Sequence, residues 1–513
     1  MGKGAKQKKK EGAKQPVPQG DQPPMKVRSL PLGREYIVLG AIVVIGLFLR
    51  FFELARNPLW LDEATTNFLA IQPDLVSVVN AAAGDHHAPL HFVTIWFIKF
   101  IGSSEFLLRL PSALAGTLTI IAVFFIAKEL YDEDAGLIAA ALLAVSPFHI
   151  YYSQEARMYG MVVLFVSLAV WMFLRAGRTG KLTDWLLFGG VCTLAFYTHF
   201  YSAFIIVALV AAYFILRFRE FFPQKTGGRK DTGFLKIPHD LKNFACGLAI
   251  SALLVLPLLG SFISQSGYFV SNSFNWGLEW SAIPSMEFYV FSDYSEILAI
   301  LFFCLMLAGF ALIGKRQPGK MLALAVIFFV PVLISMYISS IIPFNPRYLL
   351  YLIVLFLPLV ALPLAWASGK FRPDYGTIGI VTFIILISAV PLAPYYTGPL
   401  QKTDWRTFSK NLVQATEPGD TIVPLPSYMY TPLVYYYNNA TDGTFFRSFP
   451  LNATGFKSLD NTSGSVYFVV TNDINAADPT GYSVQYLKDH GELLPGSTDI
   501  GTENQILLLK KIS

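Results

Sequence analysis

Long apolar runs separated by polar loops constrain the fold of this chain more than any other feature of its sequence. We identify eleven such runs, at residues 35–53, 110–130, 135–151, 158–175, 184–198, 200–217, 243–264, 296–314, 320–342, 347–367 and 375–393. Only 14% of the residues are charged, against about 25% in soluble proteins, and the mean hydropathy is +0.50. The sequence therefore predicts a mainly α-helical fold, a polytopic membrane bundle of about eleven spans.

The positive charges between these runs predict the orientation of the chain. Segment 91–101 is well short of the ~20 residues that a span needs and contains Lys99, so we interpret it as an interfacial helix inside a long first loop, 54–109. The Lys- and Arg-rich loops then all fall on one side, which the positive-inside rule assigns to the cytoplasm. The sequence predicts a multi-pass protein of the cell membrane, with a cytoplasmic N-terminus and an external C-terminal region.

The two polar ends of the chain differ in character. Residues 1–34 are rich in Lys, Gln, Gly and Pro, which predicts a disordered basic cytoplasmic tail before the transmembrane domain, 35–397. Residues 398–513 contain a helix-like stretch at 404–415 and β-rich runs at 421–425, 466–470 and 505–509. This pattern predicts a small external soluble α/β domain. Because Lys and Arg concentrate between the apolar runs, the net charge of +5 indicates no nucleic-acid partner.

Two adjacent carboxylates, Asp62 and Glu63, follow Trp60 just beyond the first apolar run. Placing two adjacent carboxylates at a membrane surface costs free energy, which favours a functional role for the pair. The alternative is that the pair begins an interfacial helix and complements its dipole.

On the predicted topology, further polar residues from separate loops lie on the same external face as this pair. They are Asp85, His86, His87, Glu155, Arg157, Tyr159, His199, Asn345 and Arg347.

Each of these residues also has a structural interpretation. His86 and His87 precede Pro89 and could cap a helix, and His199 lies in an aromatic turn where a hydrogen-bonded structural role is common. Arg157 could pair with Glu155 or extend toward the membrane surface. Arg347 stands at the external end of a span, where the positive-inside rule disfavours Arg, so a bound anion is a good reason for it.

Asp132, Glu133 and Asp134 have the spacing of a metal-binding motif of soluble sugar-nucleotide transferases, but they lie in a tight loop on the predicted cytoplasmic side. We interpret them as a solvated turn. The sequence contains no Walker A motif, no zinc-type Cys/His spacing and no dinucleotide fingerprint. We therefore expect no cofactor, and any reaction must draw its energy from the substrate.

Taken together and in order, several motifs resemble the GT-C superfamily of membrane glycosyltransferases, in the branch of protein O-mannosyltransferases and lipid A aminoarabinose transferases. The resemblance covers about residues 35–400. Its motifs are Trp60-Leu61-Asp62-Glu63, His87-Ala88-Pro89-Leu90-His91, residues 105–116, residues 134–140 with Ser146-Pro147, and Tyr152-Ser153-Gln154-Glu155-Ala156-Arg157.

The resemblance implies a polyprenyl-phosphate sugar donor drawn from the membrane lipid and a protein, lipid or glycan acceptor. It gives Asp62 the role of general base in an inverting single displacement, with Glu63 orienting the acceptor or Asp62. Arg347 and Arg157 would hold the donor phosphate, because a departing phosphate needs positive charge beside it. The remaining members of the external set are expected to bind substrate: His86, His87, Glu155, Tyr159 and His199. Some relatives have an Asp where this chain has Glu155-Ala156-Arg157, so a required divalent metal is not favoured.

A competing interpretation is a polytopic transporter or flippase of lipid-linked saccharides. Such a protein should show inverted repeats and ionisable groups near the middle of the membrane. We find no repeat, and the ionisable residues lie at the ends of the spans. The sequence therefore favours the enzyme.

Overall fold

The computed structural model describes residues 33–221, 237–271, 283–292, 294–339, 344–371, 375–437, 444–445, 449–462, 464–495 and 506–512. The predicted tail, 1–34, lies outside the described residues except for its last two.

Among the described residues that precede residue 398, helices make up most of the structure. They are α1 (Arg34–Phe51), α2 (Leu61–Ala70), α3 (Leu75–Gly84), α4 (Leu90–Ile98), α5 (Glu105–Leu130), α6 (Glu133–Ala144), α7 (Pro147–Ser153), α8 (Tyr159–Thr179), α9 (Leu182–Thr198), α10 (Ser202–Phe221), α11 (Leu241–Ser271), α12 (Ile283–Phe291), α13 (Glu296–Gly314), α14 (Pro318–Ile338), a 3-10 helix (Pro346–Leu352), α15 (Ile353–Phe371) and α16 (Gly376–Thr397). Seven helices in the described part are long and apolar enough to cross a membrane, or up to eight if the bent pair α6–α7 forms one span. The predicted apolar runs overlap helices wherever they fall in the described residues, and the predicted helical fold class is confirmed. The predicted number of eleven spans is larger than the seven or eight helices that qualify in the described part.

Run 135–151, predicted as one helix, is instead two helices that meet at an angle of 63°. The break falls before Pro147, since a proline cannot continue the hydrogen-bond ladder of α6. Arg50 of α1, fully buried, donates to the carbonyl oxygens of Leu143 and Ala144 at distances of 3.1 and 3.0 Å. Both carbonyls lie at the end of α6, where the regular helix hydrogen bonds stop and the backbone N–H of Ser146 reaches Leu143 only at 3.4 Å, so Arg50 supplies further donors at the bend.

The end of α1 is in turn held by the loop that follows α7. Nε2 of Gln154 lies 3.2 Å from the carbonyl oxygens of Leu49 and Arg50 and 2.9 Å from that of Phe52. Gln154 therefore caps α1 and fixes the position of the loop before α8.

Helices α2, α3 and α4 form the first loop. At ~1.5 Å per residue, the nine residues of α4 extend roughly 14 Å, which is too short to cross a ~30 Å hydrocarbon core. Helix α4 packs against α2, α3 and α5, and its His91, Phe92 and Ile95 are buried.

The C-terminal part forms a small α/β domain. Its elements are α17 (Trp405–Ala415), β1 (Thr421–Leu425), α18 (Tyr430–Tyr437), β2 (Thr444–Phe445), α19 (Ala453–Ser458), β3 (Val466–Thr471), α20 (Ile474–Ala477), α21 (Tyr482–His490), β4 (Gly491–Leu493) and β5 (Ile506–Lys511), with 3-10 turns at Ser427–Met429 and Leu459–Asn461. The strand order is β2-β1-β3-β5-β4; β1 is parallel to β2 and β3, and β5 is antiparallel to β3 and β4. Strands occur at all three predicted positions.

This domain packs directly on the first loop. Helix α18 contacts α2, and the hydroxyl of Tyr436 accepts a 2.7 Å hydrogen bond from the backbone N–H of Leu59. Arg406 of α17 forms a 2.7 Å ion pair with Glu105, the first residue of α5. The C-terminal domain and the carboxylate pair of α2 therefore lie on the same side of the helical bundle.

Candidate active site

Asp62, in the first turn of α2, lies beside two arginines from distant parts of the chain. Its Oδ2 atom is 3.1 Å from Nη1 of Arg347 and 3.9 Å from Nε of Arg157. The side chain of Asp62 is 22% exposed, so it can be reached from outside the protein. We call Asp62, Arg157 and Arg347 the front cluster, which has one negative and two positive side chains.

Arg347 lies among aromatic rings. Its guanidinium carbon is 5.6 Å from the ring centroid of Trp60, 5.4 Å from that of Tyr159 and 5.7 Å from that of Tyr348. At these distances the ring faces attract the cation. The side chain of Asn345 accepts a 3.1 Å hydrogen bond from the backbone N–H of Arg347 and so begins the 3-10 helix. The position of the Arg347 charge is thus fixed on several sides.

Arg157 is directed toward α2 and not toward Glu155, its alternative partner. Its Nη1 atom donates to the backbone oxygen of Asp62 at 3.2 Å and to the hydroxyl of Thr66 at 3.1 Å. Its Nη2 atom lies 3.4 Å from Nε2 of His87. Arg157 therefore links α2 to the turn that carries His87, and only 4% of its side chain is exposed.

Glu63, the neighbour of Asp62, points into the protein and is fully buried. Arg109 donates to both of its carboxylate oxygens at 2.8 Å, Lys402 lies 3.0 Å from Oε2, and the backbone N–H of Ala156 donates to Oε1 at 2.8 Å. Burial would raise the pKa of Glu63, but the charges of Arg109 and Lys402 and these hydrogen bonds outweigh it and lower the pKa to about 2. The carboxylate is engaged inside the protein, so the predicted catalytic contact of Glu63 with an acceptor is not supported by this geometry.

Glu155 is buried behind the front cluster as well. Its Oε1 atom lies 3.1 Å from Nζ of Lys402, and burial raises the pKa of its carboxyl although the charge of Lys402 opposes this. Glu155 was predicted to bind substrate, but only 1% of its side chain is exposed. We call Glu63, Glu155, Arg109 and Lys402 the rear cluster.

The histidines surround the front cluster at different distances. His87 stacks on Phe92 with a centroid distance of 5.5 Å and lies 3.4 Å from Asp85. The backbone N–H of Tyr201 donates to Nδ1 of His199 at 3.2 Å. Burial, together with the charges of Arg157 and Arg347, lowers the pKa of His199 to about 3, so this ring is neutral at physiological pH.

Tyr159 and His86 complete the predicted set. The buried ring of Tyr159 lies 5.8 Å from that of His199, between this histidine and Arg347. His86 occupies the turn after α3 with a left-handed backbone, φ 61°, and its N–H donates to the carbonyl oxygen of Ala83. The structure thus brings Asp62, Arg157, Arg347, His87 and Tyr159 together and places His86 on the adjoining turn.

Two charged residues of the site, Arg109 and Lys402, were not predicted. Arg109 lies in the first turns of a long apolar helix, and Lys402 follows the last span on the predicted external side. A cation on that side runs against the positive-inside rule, the same signal that singled out Arg347. The same rule, applied to the residues just after the last span, would also have identified Lys402 as a candidate.

The described ranges of the chain contain no group of three or more His, Cys, Asp or Glu side chains placed to hold a metal ion. Asp132, from the acidic run, accepts a 2.9 Å hydrogen bond from the backbone N–H of Ala135 and begins α6 as its N-cap.

Comparison with known proteins gives matches in both sequence and fold. Residues 86–226 match the family of dolichyl-phosphate-mannose-protein mannosyltransferases. The undecaprenyl phosphate-α-4-amino-4-deoxy-L-arabinose arabinosyl transferase of Pseudomonas aeruginosa is 27% identical over 202 residues, which cover 35% of each chain. The match thus spans about a third of the length of this relative.

The likeness in fold extends over nearly the whole chain. The crystal structure of ArnT from Cupriavidus metallidurans in the apo state aligns with a TM-score of 0.59 and 12% identity, over 94% of this chain and 98% of that one. The same protein bound to undecaprenyl phosphate aligns with a TM-score of 0.55 and 11% identity, over 94% and 99% of the two chains. This multi-pass membrane protein is thus similar in sequence to the dolichyl-phosphate-mannose-protein mannosyltransferases over residues 86–226, and it shares its fold with ArnT over most of its length.

Proposed function

We propose that this protein is a membrane glycosyltransferase that moves a sugar from a polyprenyl-phosphate donor to a hydroxyl group of a protein, lipid or glycan on the external face. The observation that carries the proposal is the contact of the partly exposed Asp62 carboxylate with Arg347 and Arg157. A displacement at a sugar carbon needs a base beside the nucleophile and positive charge beside the departing phosphate. The names of the relatives, which specify dolichyl-phosphate mannose and an undecaprenyl phosphate sugar, support this donor class.

In the proposed reaction, the acceptor hydroxyl gives its proton to Asp62 as its oxygen bonds to the anomeric carbon. The bond from that carbon to the phosphate oxygen breaks, and its electron pair stays on the phosphate. The configuration at the anomeric carbon is inverted because the attack and the departure occur on opposite faces.

The charges of the front cluster remain matched through this step. Before the reaction, the donor phosphodiester contributes one negative charge and Asp62 another, against the two positive charges of Arg157 and Arg347. Afterwards Asp62 is neutral and the phosphate carries two negative charges, again against two positive ones. Protonation of Asp62 thus releases both arginines to stabilise the dianionic leaving group, at the moment when that charge develops.

The test uses the purified protein in proteoliposomes with a polyprenyl-phosphate donor labelled in its sugar. We expect the label to move to the acceptor and free polyprenyl phosphate to appear. Asp62→Asn should lower this rate by about 10²–10⁴-fold, the usual contribution of a general base. Asp74→Asn is the matched control: it is the same change in the same loop, at an exposed helix N-cap where Asn serves as well as Asp.

The same experiment separates the enzyme from the transporter. A flippase would move the intact labelled donor between leaflets and leave the bond between sugar and phosphate unbroken. Leaflet exchange without any cleavage, in the wild type and in Asp62→Asn alike, would overturn the proposed function.

A further inference from the structure

The rear cluster joins the C-terminal part of the chain to the active-site loop. Its four residues come from four segments: Glu63 from α2, Arg109 from α5, Glu155 from the loop before α8, and Lys402 from the stretch between α16 and α17. At most 5% of any of these side chains is exposed.

Lys402 is the residue that joins the two carboxylates of the cluster. Its Nζ atom lies 3.0 Å from Oε2 of Glu63 and 3.1 Å from Oε1 of Glu155. The rings of Tyr151 and Trp60 flank it, with centroids 5.3 and 5.9 Å from Nζ. An ammonium group suits this place because it is compact and carries three donors.

The charges of the rear cluster balance only when Lys402 is present. Glu63 and Glu155 contribute two negative charges, and Arg109 and Lys402 contribute two positive ones. Arg109 already binds both oxygens of Glu63 at 2.8 Å. Without Lys402, Glu155 would be left as a buried carboxylate with no matching cation, a costly arrangement.

We propose that Lys402 is a positioning residue that locks the C-terminal segment onto α2 and thereby fixes the direction of Asp62. Asp62 and Glu63 are adjacent on the first turn of α2, so the anchoring of Glu63 in the rear cluster sets the angle at which Asp62 meets the front cluster. This inference rests on the proposed function for its kinetic readouts and does not assign Lys402 any contact with substrate.

The first arm of the test is kinetic. At a pH high enough to ionise Glu155, Lys402→Met should lower kcat by roughly 10- to 100-fold, the range expected when a reacting group is misplaced by about 1 Å, and leave the donor KM unchanged because Arg157 and Arg347 remain. Lys402→Met combined with Glu155→Gln restores charge balance and should recover most of the lost rate. Lys410→Met, in the exposed part of neighbouring α17, is the matched control and should behave as the wild type.

The second arm is the pH profile. In Lys402→Met at low pH, Glu155 is protonated and the rear cluster has no unmatched charge. As the pH rises and Glu155 ionises, its carboxylate has no matching cation, and the activity should fall. The wild type and the double variant should not show that fall. The other charged and titratable groups that act on Glu155 are Glu63, Arg347, Tyr151, Tyr152 and Tyr395.

The third arm does not depend on activity. Hydrogen exchange of the backbone amides of α2 should be faster in Lys402→Met than in the wild type and slow again in the double variant. If the amides of α2 exchange faster in Lys402→Met but the wild type transfers no sugar, the positioning role of Lys402 is supported and the proposed function is rejected. Wild-type kcat in Lys402→Met, a raised donor KM at unchanged kcat, or failure of Glu155→Gln to rescue would each overturn the role given to Lys402.

Discussion

Asp62→Asn should bind the lipid donor more tightly while transferring its sugar far more slowly. Oδ2 of Asp62 lies 3.1 Å from Nη1 of Arg347, and an oxygen of a phosphate bound by another nitrogen of the same guanidinium would lie about 3 Å from that nitrogen. The two negative groups are then about 6 Å apart, and their repulsion is about 0.7 kcal/mol at a dielectric constant near 80 and about 2.8 kcal/mol near 20. Removing it should tighten donor binding by about 3- to 100-fold, since about 1.4 kcal/mol corresponds to tenfold.

The gain in affinity that Asp62→Asn causes should be larger for the product, polyprenyl phosphate, than for the donor. Polyprenyl phosphate carries close to one further negative charge, so Asp62→Asn should gain more affinity for it than for the donor and should be inhibited by it more strongly. Equilibrium binding of a labelled polyprenyl phosphate and of the donor to the purified variants measures both changes, with Asp74→Asn as the control.

A weakened affinity for the donor in a normally folded Asp62→Asn would refute this reasoning. It would mean that Asp62 promotes phosphate binding, either by holding Arg347 and Arg157 in place through its ion pairs or through a bound metal cation. Repeating the measurement with a chelator present then separates these two explanations.

Three further predictions follow from the site and the topology. Arg347→Lys keeps the charge but loses the planar fork and the contacts with three rings, so the donor KM should rise by roughly tenfold, as measured by initial rates over a range of donor concentrations. Glu63→Gln should lower stability by about 3–5 kcal/mol, seen as a lower apparent unfolding temperature. Because the pKa of Glu63 is lowered to about 2, the stabilisation by this carboxylate is complete above the ordinary Glu pKa of ~4.3 and lost as the pH falls toward about 2; Glu63→Gln should lack this dependence. In a background without Cys192, Cys246 and Cys304, an impermeant thiol reagent should label Asn475→Cys in intact cells but Lys315→Cys only after permeabilisation, and the opposite pattern would reverse the predicted orientation.

The helical bundle was largely predictable because each span carries its own signal in about twenty apolar residues. The break within 135–151 was the exception, although Ser146-Pro147 marks it in the sequence. Strands β2 and β4, of two and three residues, are too short to show the alternation that reveals a strand. The extension of α5 back to Glu105 depends on Ser104, whose hydroxyl accepts a hydrogen bond from the N–H of Leu107.

The site was predictable only in part. Topology alone gathers Asp62, Arg157 and Arg347 on one face, and the structure places them in contact. The predicted topology does not say which of the two adjacent carboxylates, Asp62 or Glu63, faces outward. Neighbours on a helix differ in direction by about 100°, and the rotation of α2 about its axis is set by its packing. The partners of Glu63, namely Arg109 and Lys402, are 46 and 339 residues away along the chain. Contacts over such separations leave no local pattern in a single sequence.

Helix α1 has a consequence for how this protein can be engineered. Arg50 completes the hydrogen bonds of α6 at its bend, and Gln154 caps α1 in return, so the first span and the loop that carries Glu155 and Arg157 hold each other in place. An unrelated apolar helix substituted for α1 would still insert into the bilayer, yet it would leave the bend without its donors. Fusions and chimaeras that treat the first span as a simple membrane anchor should therefore yield an inserted but inactive protein, whereas additions before residue 33 leave this contact intact.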